Sequence, residues 1–134
     1  MGVTITSKNP LFEFDTGYIT FFYLRKNIAQ AIDEDFGNAY LPSEENLKEA
    51  LSIINQKHLD DDYEDVLDFL FASDCEGKIG YKTCKKISEL LEKKLPDLKG
   101  KNIRYGYYST GLDYEEFILF LKDCFKYRKN MRWS

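Results

Sequence analysis

The stretch Ser73-Asp74-Cys75-Glu76-Gly77-Lys78-Ile79 has the residue types and spacing of the middle of a calcium-binding EF-hand loop. Such a loop needs carboxylates two residues apart, a glycine at the sharp turn and a branched apolar residue two positions later. Asp74 and Glu76 supply the carboxylates, Gly77 the turn and Ile79 the apolar residue. In that register Ala72 stands where the loop's first aspartate belongs, and Thr83 where its final bidentate glutamate belongs. Calcium takes roughly 6–8 oxygen ligands, and two carboxylates with a backbone carbonyl fall short of that. The spacing therefore predicts a structural turn between two helices. Gly77 permits the turn, Ile79 pins it to the core, and Asp74 accepts backbone N–H bonds. Asp74 and Glu76 are the residues that would hold a divalent cation; no other cofactor is expected.

The remaining reactive residues are sparse. The cysteines Cys75, Cys84 and Cys124 form no C-x-x-C doublet, and a closed zinc site would need His58 and Cys124 to join the other two. His58 lies at helical spacing from Leu47, Leu51 and Ile54, which makes it a helix-end residue rather than a base for a thiolate. No phosphate-binding glycine loop, nucleophile elbow or H-E-x-x-H pair occurs in the sequence. These observations lean away from an enzyme. The tyrosines Tyr105, Tyr107 and Tyr108 lie in a Gly-rich segment suited to contacts with a protein partner.

The elements that position these residues follow from apolar periodicity. The 134 residues point to one domain spanning 1–134, with 43% apolar and 31% charged residues. Residues 3–6 and 11–14 have β composition around a Ser7–Pro10 turn, a possible N-terminal hairpin. A helix begins near Asp15-Thr16-Gly17, with Phe21, Leu24, Ile28, Ala31 and Ile32 on one face, and Gly37 closes that region. Ser43 starts a second helix whose buried stripe is Leu47, Ala50, Leu51 and Ile54. Residues Asp60 to Asp62 cap a third helix, in which Tyr63, Val66, Leu67, Leu70 and Phe71 share a face. A fourth carries Cys84, Ile87, Leu90 and Leu91 inward and stops before Pro96. Asp113 and Glu116 form a capping pair for the last helix, with Tyr114, Phe117, Ile118, Leu121, Phe125 and Arg128 on one face. The expected fold is a compact, mainly α domain of about five helices. Phe69 and Phe120 fall off their helices' apolar stripes, so each either packs against another element or stays exposed for a partner.

Net charge is −4, which argues against general binding to nucleic acid or anionic membranes. The charge is segregated, however. Asp60, Asp61, Asp62, Glu64, Asp65 and Asp68 form an acidic block, whereas Lys122, Lys126, Arg128, Lys129 and Arg132 form a basic end. The unpaired cysteines, the absence of an apolar N-terminal run and the lack of a spanning segment point to a reducing cytoplasm.

The run Phe69 to Ile79, followed by Thr83-Cys84-Lys85, resembles a group of small bacterial and prophage-borne proteins. They share a helix, then Ser-Asp-Cys-Asp/Glu-Gly, then a helix beginning near a second cysteine. Phe14-Asp15-Thr16-Gly17-Tyr18 and the terminal Arg132-Trp133-Ser134 fit the same pattern, and Glu76 replaces the commoner Asp. The resemblance implies a bacterial cytoplasmic origin and assigns no mechanism. The function expected from the sequence is a non-enzymatic interaction domain, of accessory or immunity type, for a protein partner. The alternative is a small-ligand or divalent-metal-responsive domain built on residues 73–79.

Overall fold

The computed structural model describes residues 3–7, 13–40, 44–98, 104–105, 108–109 and 113–134, with the backbone alone at 44–46, 97–98, 104–105 and 108–109. Strands β1 (Val3–Thr6) and β2 (Glu13–Thr16) precede helices α1 (Tyr18–Ile32), α2 (Glu34–Ala39), α3 (Glu44–Lys57) and α4 (Asp60–Phe71). Strand β3 (Gly77–Ile79) leads into α5 (Tyr81–Leu98). The pair β4 (Arg104–Tyr105) and β5 (Tyr108–Ser109), helix α6 (Tyr114–Lys126) and strand β6 (Met131–Trp133) complete the chain. The domain is mainly α, as the periodicity predicts, with six helices among the described residues where about five are expected, and β3 and β6 extend the expected hairpin into a four-stranded antiparallel sheet. The N-terminal hairpin is present, with its second strand two residues later than expected.

The sheet runs β2-β1-β6-β3. Its register places Ile5 and Gly77 on either side of Trp133, and Arg132 between Thr6 and Lys78. Alternation along these strands puts Val3, Ile5, Ile79, Met131 and Trp133 in the core and Lys78 and Arg132 outside. Helix α1 meets the core with Phe21, Leu24, Ile28 and Ala29, all fully buried. Helices α5 and α6 form the largest helix–helix contact, and there Ile87, Leu91, Phe117 and Leu121 are buried.

Several elements depart from the sequence reading. The region from Tyr18 to Ala39 breaks at Asp33, whose backbone is extended and whose side chain accepts from the Phe36 N–H at 3.0 Å, capping α2. Gly37 lies inside α2. A Cβ there would sit 2.4 Å from the Gln30 Cα, so α1 and α2 touch backbone to backbone. Asp60 to Asp62 occupy the first turn of α4, favourable for the helix dipole, but Leu59 is the N-cap and makes no side-chain cap bond. Pro96 lies within α5, which runs on to Leu98; so close to the helix end, the ring removes little of the hydrogen-bond ladder. Asp113 caps α6 by accepting from the Glu116 N–H at 3.2 Å, as expected. That helix ends at Lys126, and Arg128 beyond it takes a left-handed φ of 54°. Phe69 and Phe120 are buried, so neither is open to a partner. Phe69 meets Phe21 and Trp133, and Phe120 meets Phe14 and Phe117.

Candidate functional site

The 73–79 loop is built around a cation that belongs to the protein. Arg25, on α1, is buried and donates through Nη1 to the Ala72 carbonyl at 2.7 Å and through Nη2 to the Ser73 carbonyl at 3.0 Å. Its guanidinium lies 4.4 Å from the Phe21 ring centre and 5.1 Å from that of Phe69. Trp133 Nε1 also donates to the Ser73 carbonyl, at 2.9 Å, and the Tyr40 hydroxyl donates to the Leu70 carbonyl. Tyr40 and Arg25 satisfy carbonyls that the end of α4 leaves without intrahelical partners, Arg25 and Trp133 share the first loop carbonyl, and Arg25 places positive charge at the negative end of the helix dipole. Burial lowers the Arg25 pKa, and the neighbouring Tyr40 opposes that shift.

Asp74 and Glu76 both face solvent. The Cys75 N–H donates to Ser73 Oγ at 3.1 Å, while Asp74 Oδ1 accepts from the Cys75 thiol at 3.5 Å rather than from the backbone N–H expected of it. Thr83, at the position of the missing glutamate, turns to α4 and donates to Asp65 Oδ2 at 2.9 Å. Lys86 pairs with the same carboxylate at 3.1 Å. Burial opposes ionisation of Asp65, but the bonds from Lys86 and Thr83 outweigh it and hold the pKa below the ordinary carboxylate range. Among the described residues no three His, Cys, Asp or Glu side chains gather as a metal site. Ile79 pins the loop as predicted, being buried in β3. Gly77 serves a different need: a Cβ there would lie 2.2 Å from Trp133 Cζ2. The residue keeps room for the indole.

The cysteines separate into an exposed Cys75 and the buried Cys84 and Cys124. Cys84 interacts with Cys124, and that hydrogen bond together with burial pushes its thiol pKa up. His58 is exposed at the end of α3 with a left-handed φ of 54°, a helix-end residue as read. Tyr107 and the side chains of Tyr105 and Tyr108 lie outside the described residues; the backbones of Tyr105 and Tyr108 pair across β4 and β5.

The structure shows a surface that the sequence reading assigned to the core. Of the predicted α3 stripe, Ala50 and Ile54 are buried, but Leu47 is 40% exposed and Leu51 45%. Phe71 on α4 is 39% exposed. Leu51 and Phe71 flank a groove of about 370 Å³ floored by Ile54 and Leu67. Asp60, Glu64 and Asp68 form its acidic edge. They recur every four residues in sequence, but the backbone kinks at Tyr63 (φ −126°, ψ 21°), so Asp60 precedes the kink and Glu64 and Asp68 lie one regular turn apart after it. A second hollow shares Glu64 and Asp68 and continues over Asp61, Asp62 and Asp65 to Lys86. The available signal was the coincidence of that acidic spacing with a Leu47–Leu51–Ile54 stripe.

No described helix is long and apolar enough to cross a membrane. Comparison with known proteins gave no matching family model, no matching curated protein and no matching solved structure.

Proposed function

We propose that this chain is a non-enzymatic protein-interaction domain of bacterial cytoplasm, of accessory or immunity type, and that it docks its partner on the α3–α4 face. One observation carries the reading: Leu51 and Phe71 stand open around a groove whose floor is already apolar. Burying such side chains on a partner is worth about 25 cal/mol per Å² of apolar surface. Contiguous apolar surface rimmed by polar residues marks interaction sites in soluble proteins. The segregated charge supports the same reading, because complementary potentials steer encounter and exclude wrong partners.

The test is site-specific photo-crosslinking in extracts of the source cells. A benzophenone side chain replaces Leu51 in one protein and Leu119, which is 57% exposed on α6, in another. A single protein captured from position 51 and absent from position 119 is the expected result. Equal capture from both positions, or none from either, overturns the proposal.

A further inference from the structure

We infer that the α3–α4 groove is a receptor for a cationic amphipathic helix of another protein. The inference rests on the interaction reading above and specifies the partner's chemistry. Its first support is a contrast among the acids. Asp33 and Asp35 are paired with Lys57 at 3.0 and 2.8 Å, and Asp65 with Lys86 at 3.1 Å. Asp60, Glu64 and Asp68 have no ion-pair partner among the described residues. Glu64 and Asp68 are like charges one helical turn apart, which destabilises the helix they share. Lys86 lines the adjoining hollow with Glu64 and Asp68 but pairs with Asp65, so the unpaired carboxylates on this edge hold a negative potential that an incoming cation relieves.

The second support is the shape of the receiving surface. Both walls are helices whose backbone groups are spent internally, so the groove offers no strand edge for an extended peptide. Leu47, Leu51 and Ile54 advance along α3 by single turns, over roughly 10 Å. A helix with apolar side chains at i, i+4 and i+7 matches that advance. Lysine or arginine beside its stripe then meets Glu64 and Asp68, one turn apart, with Asp60 lining the same groove before the kink at Tyr63. A nucleic acid or an anionic lipid surface is repelled by the same edge.

A second copy of the chain is the competing occupant, because α6 exposes Leu119 and Phe125 beside cations. Three of those cations are already engaged. Lys122 pairs with Glu92, Lys85 lies 4.9 Å from the Phe125 ring centre, and Lys126 lies 5.3 Å from that of Tyr127.

The experiment titrates the full chain into a fluorescein-labelled amphipathic peptide of about four helical turns, a leucine stripe flanked by lysines, and follows anisotropy. A peptide with glutamate for lysine and a scrambled peptide of identical composition are the controls. Sedimentation under the same conditions reports self-association. The expected result is saturable binding of the lysine helix alone. The combined variant Asp60→Asn, Glu64→Gln, Asp68→Asn should weaken it about tenfold, as should added salt. Leu51→Ala should weaken binding with its salt dependence retained. These side chains are exposed, and lost repulsion and lost dipole pairing oppose each other, so the variants should stay folded and melt close to the parent. The inference is overturned by equal affinity for the lysine and glutamate helices, by no binding of either, or by a dimer that the acidic variant dissolves. If position 51 still crosslinks a partner when the peptide fails, the interaction reading survives and only the cationic-helix assignment falls.

Discussion

Gly77 is fixed by a side chain far away in sequence. A Cβ at this position would approach Trp133 Cζ2 to 2.2 Å and Cε2 to 2.7 Å. A flexible neighbour could withdraw, but the indole cannot. Its N–H is held by Ser73, its ring packs on Phe21 and Phe69, and it is 2% exposed. Gly77→Ala should therefore cost about 1–3 kcal/mol in urea denaturation, the range for overpacking a closed core. In a Trp133→Leu background the loss should shrink by at least about 0.5 kcal/mol, the coupling expected of residues in contact. An equal loss in both backgrounds would trace the cost to backbone freedom instead. The loop was legible in the sequence as a turn between helices because the motif is local. Its central cation was not, since Arg25 reaches Ala72 across 47 positions and Trp133 reaches Ser73 across 60. Nothing in the spacing of residues 73–79 refers to either side chain.

Carboxylates tie neighbouring helices together at two points. Asp33 caps α2 and pairs with Lys57 of α3, while Asp65 of α4 receives Thr83 and Lys86 of α5. Burial opposes ionisation at both sites, but the hydrogen bonds prevail, so both pKa values lie below the ordinary 3.8. A carboxylate with a depressed folded-state pKa contributes stability that is fully present above its unfolded value. That contribution is lost as pH falls through the folded value. The chain should therefore lose stability as pH drops below about 4, and Asp65→Asn should make that acid limb shallower. At neutral pH the same substitution should cost a few tenths to about 1 kcal/mol, because the Lys86 pair is part-exposed. Denaturant midpoints measured from neutral to strongly acidic pH check this; parallel curves for the two proteins would remove Asp65 from the linkage. At this scale the sequence is readable where a signal is local and misleading where it depends on supply of partner surface. The Asp113–Glu116 cap needs only its own turn, so it was found. The Leu47–Leu51 stripe has the right period for burial, but α3 packs mainly on the short helix α2. Periodicity shows which residues share a face, not whether another element covers it.

The whole molecule is closed by its last strand. In the order β2-β1-β6-β3, β6 is, among the described residues, the strand that connects the N-terminal hairpin to the loop after α4. Ser134 extends the junction, exchanging hydrogen bonds with Thr4 at 2.9 and 3.0 Å. A three-residue strand has too few residues to show alternation, so the sequence marks this segment as a basic end and as part of a family resemblance, not as a strand. Deleting residues 131–134 removes Met131 and Trp133, which are 0% and 2% exposed, and takes the indole from the Arg25 and Gly77 contacts. Loss of one large buried aromatic typically costs about 3–5 kcal/mol, against a total stability of roughly 5–15 kcal/mol for a domain. With the strand pairing lost as well, the truncated chain should sit at or below the folding margin. Far-UV circular dichroism should retain helix, near-UV signal and amide dispersion should collapse, and thermal unfolding should lose cooperativity. Arg132→Ala is the matched control, since Arg132 lies on the outer face opposite the like charge of Lys78. It should change stability by no more than about 0.5 kcal/mol, with relief of repulsion favouring the variant. A truncated chain that melts cooperatively at the parent midpoint would show that the hairpin and the α4–α5 loop hold together without β6, and would remove that strand as the element that closes the fold.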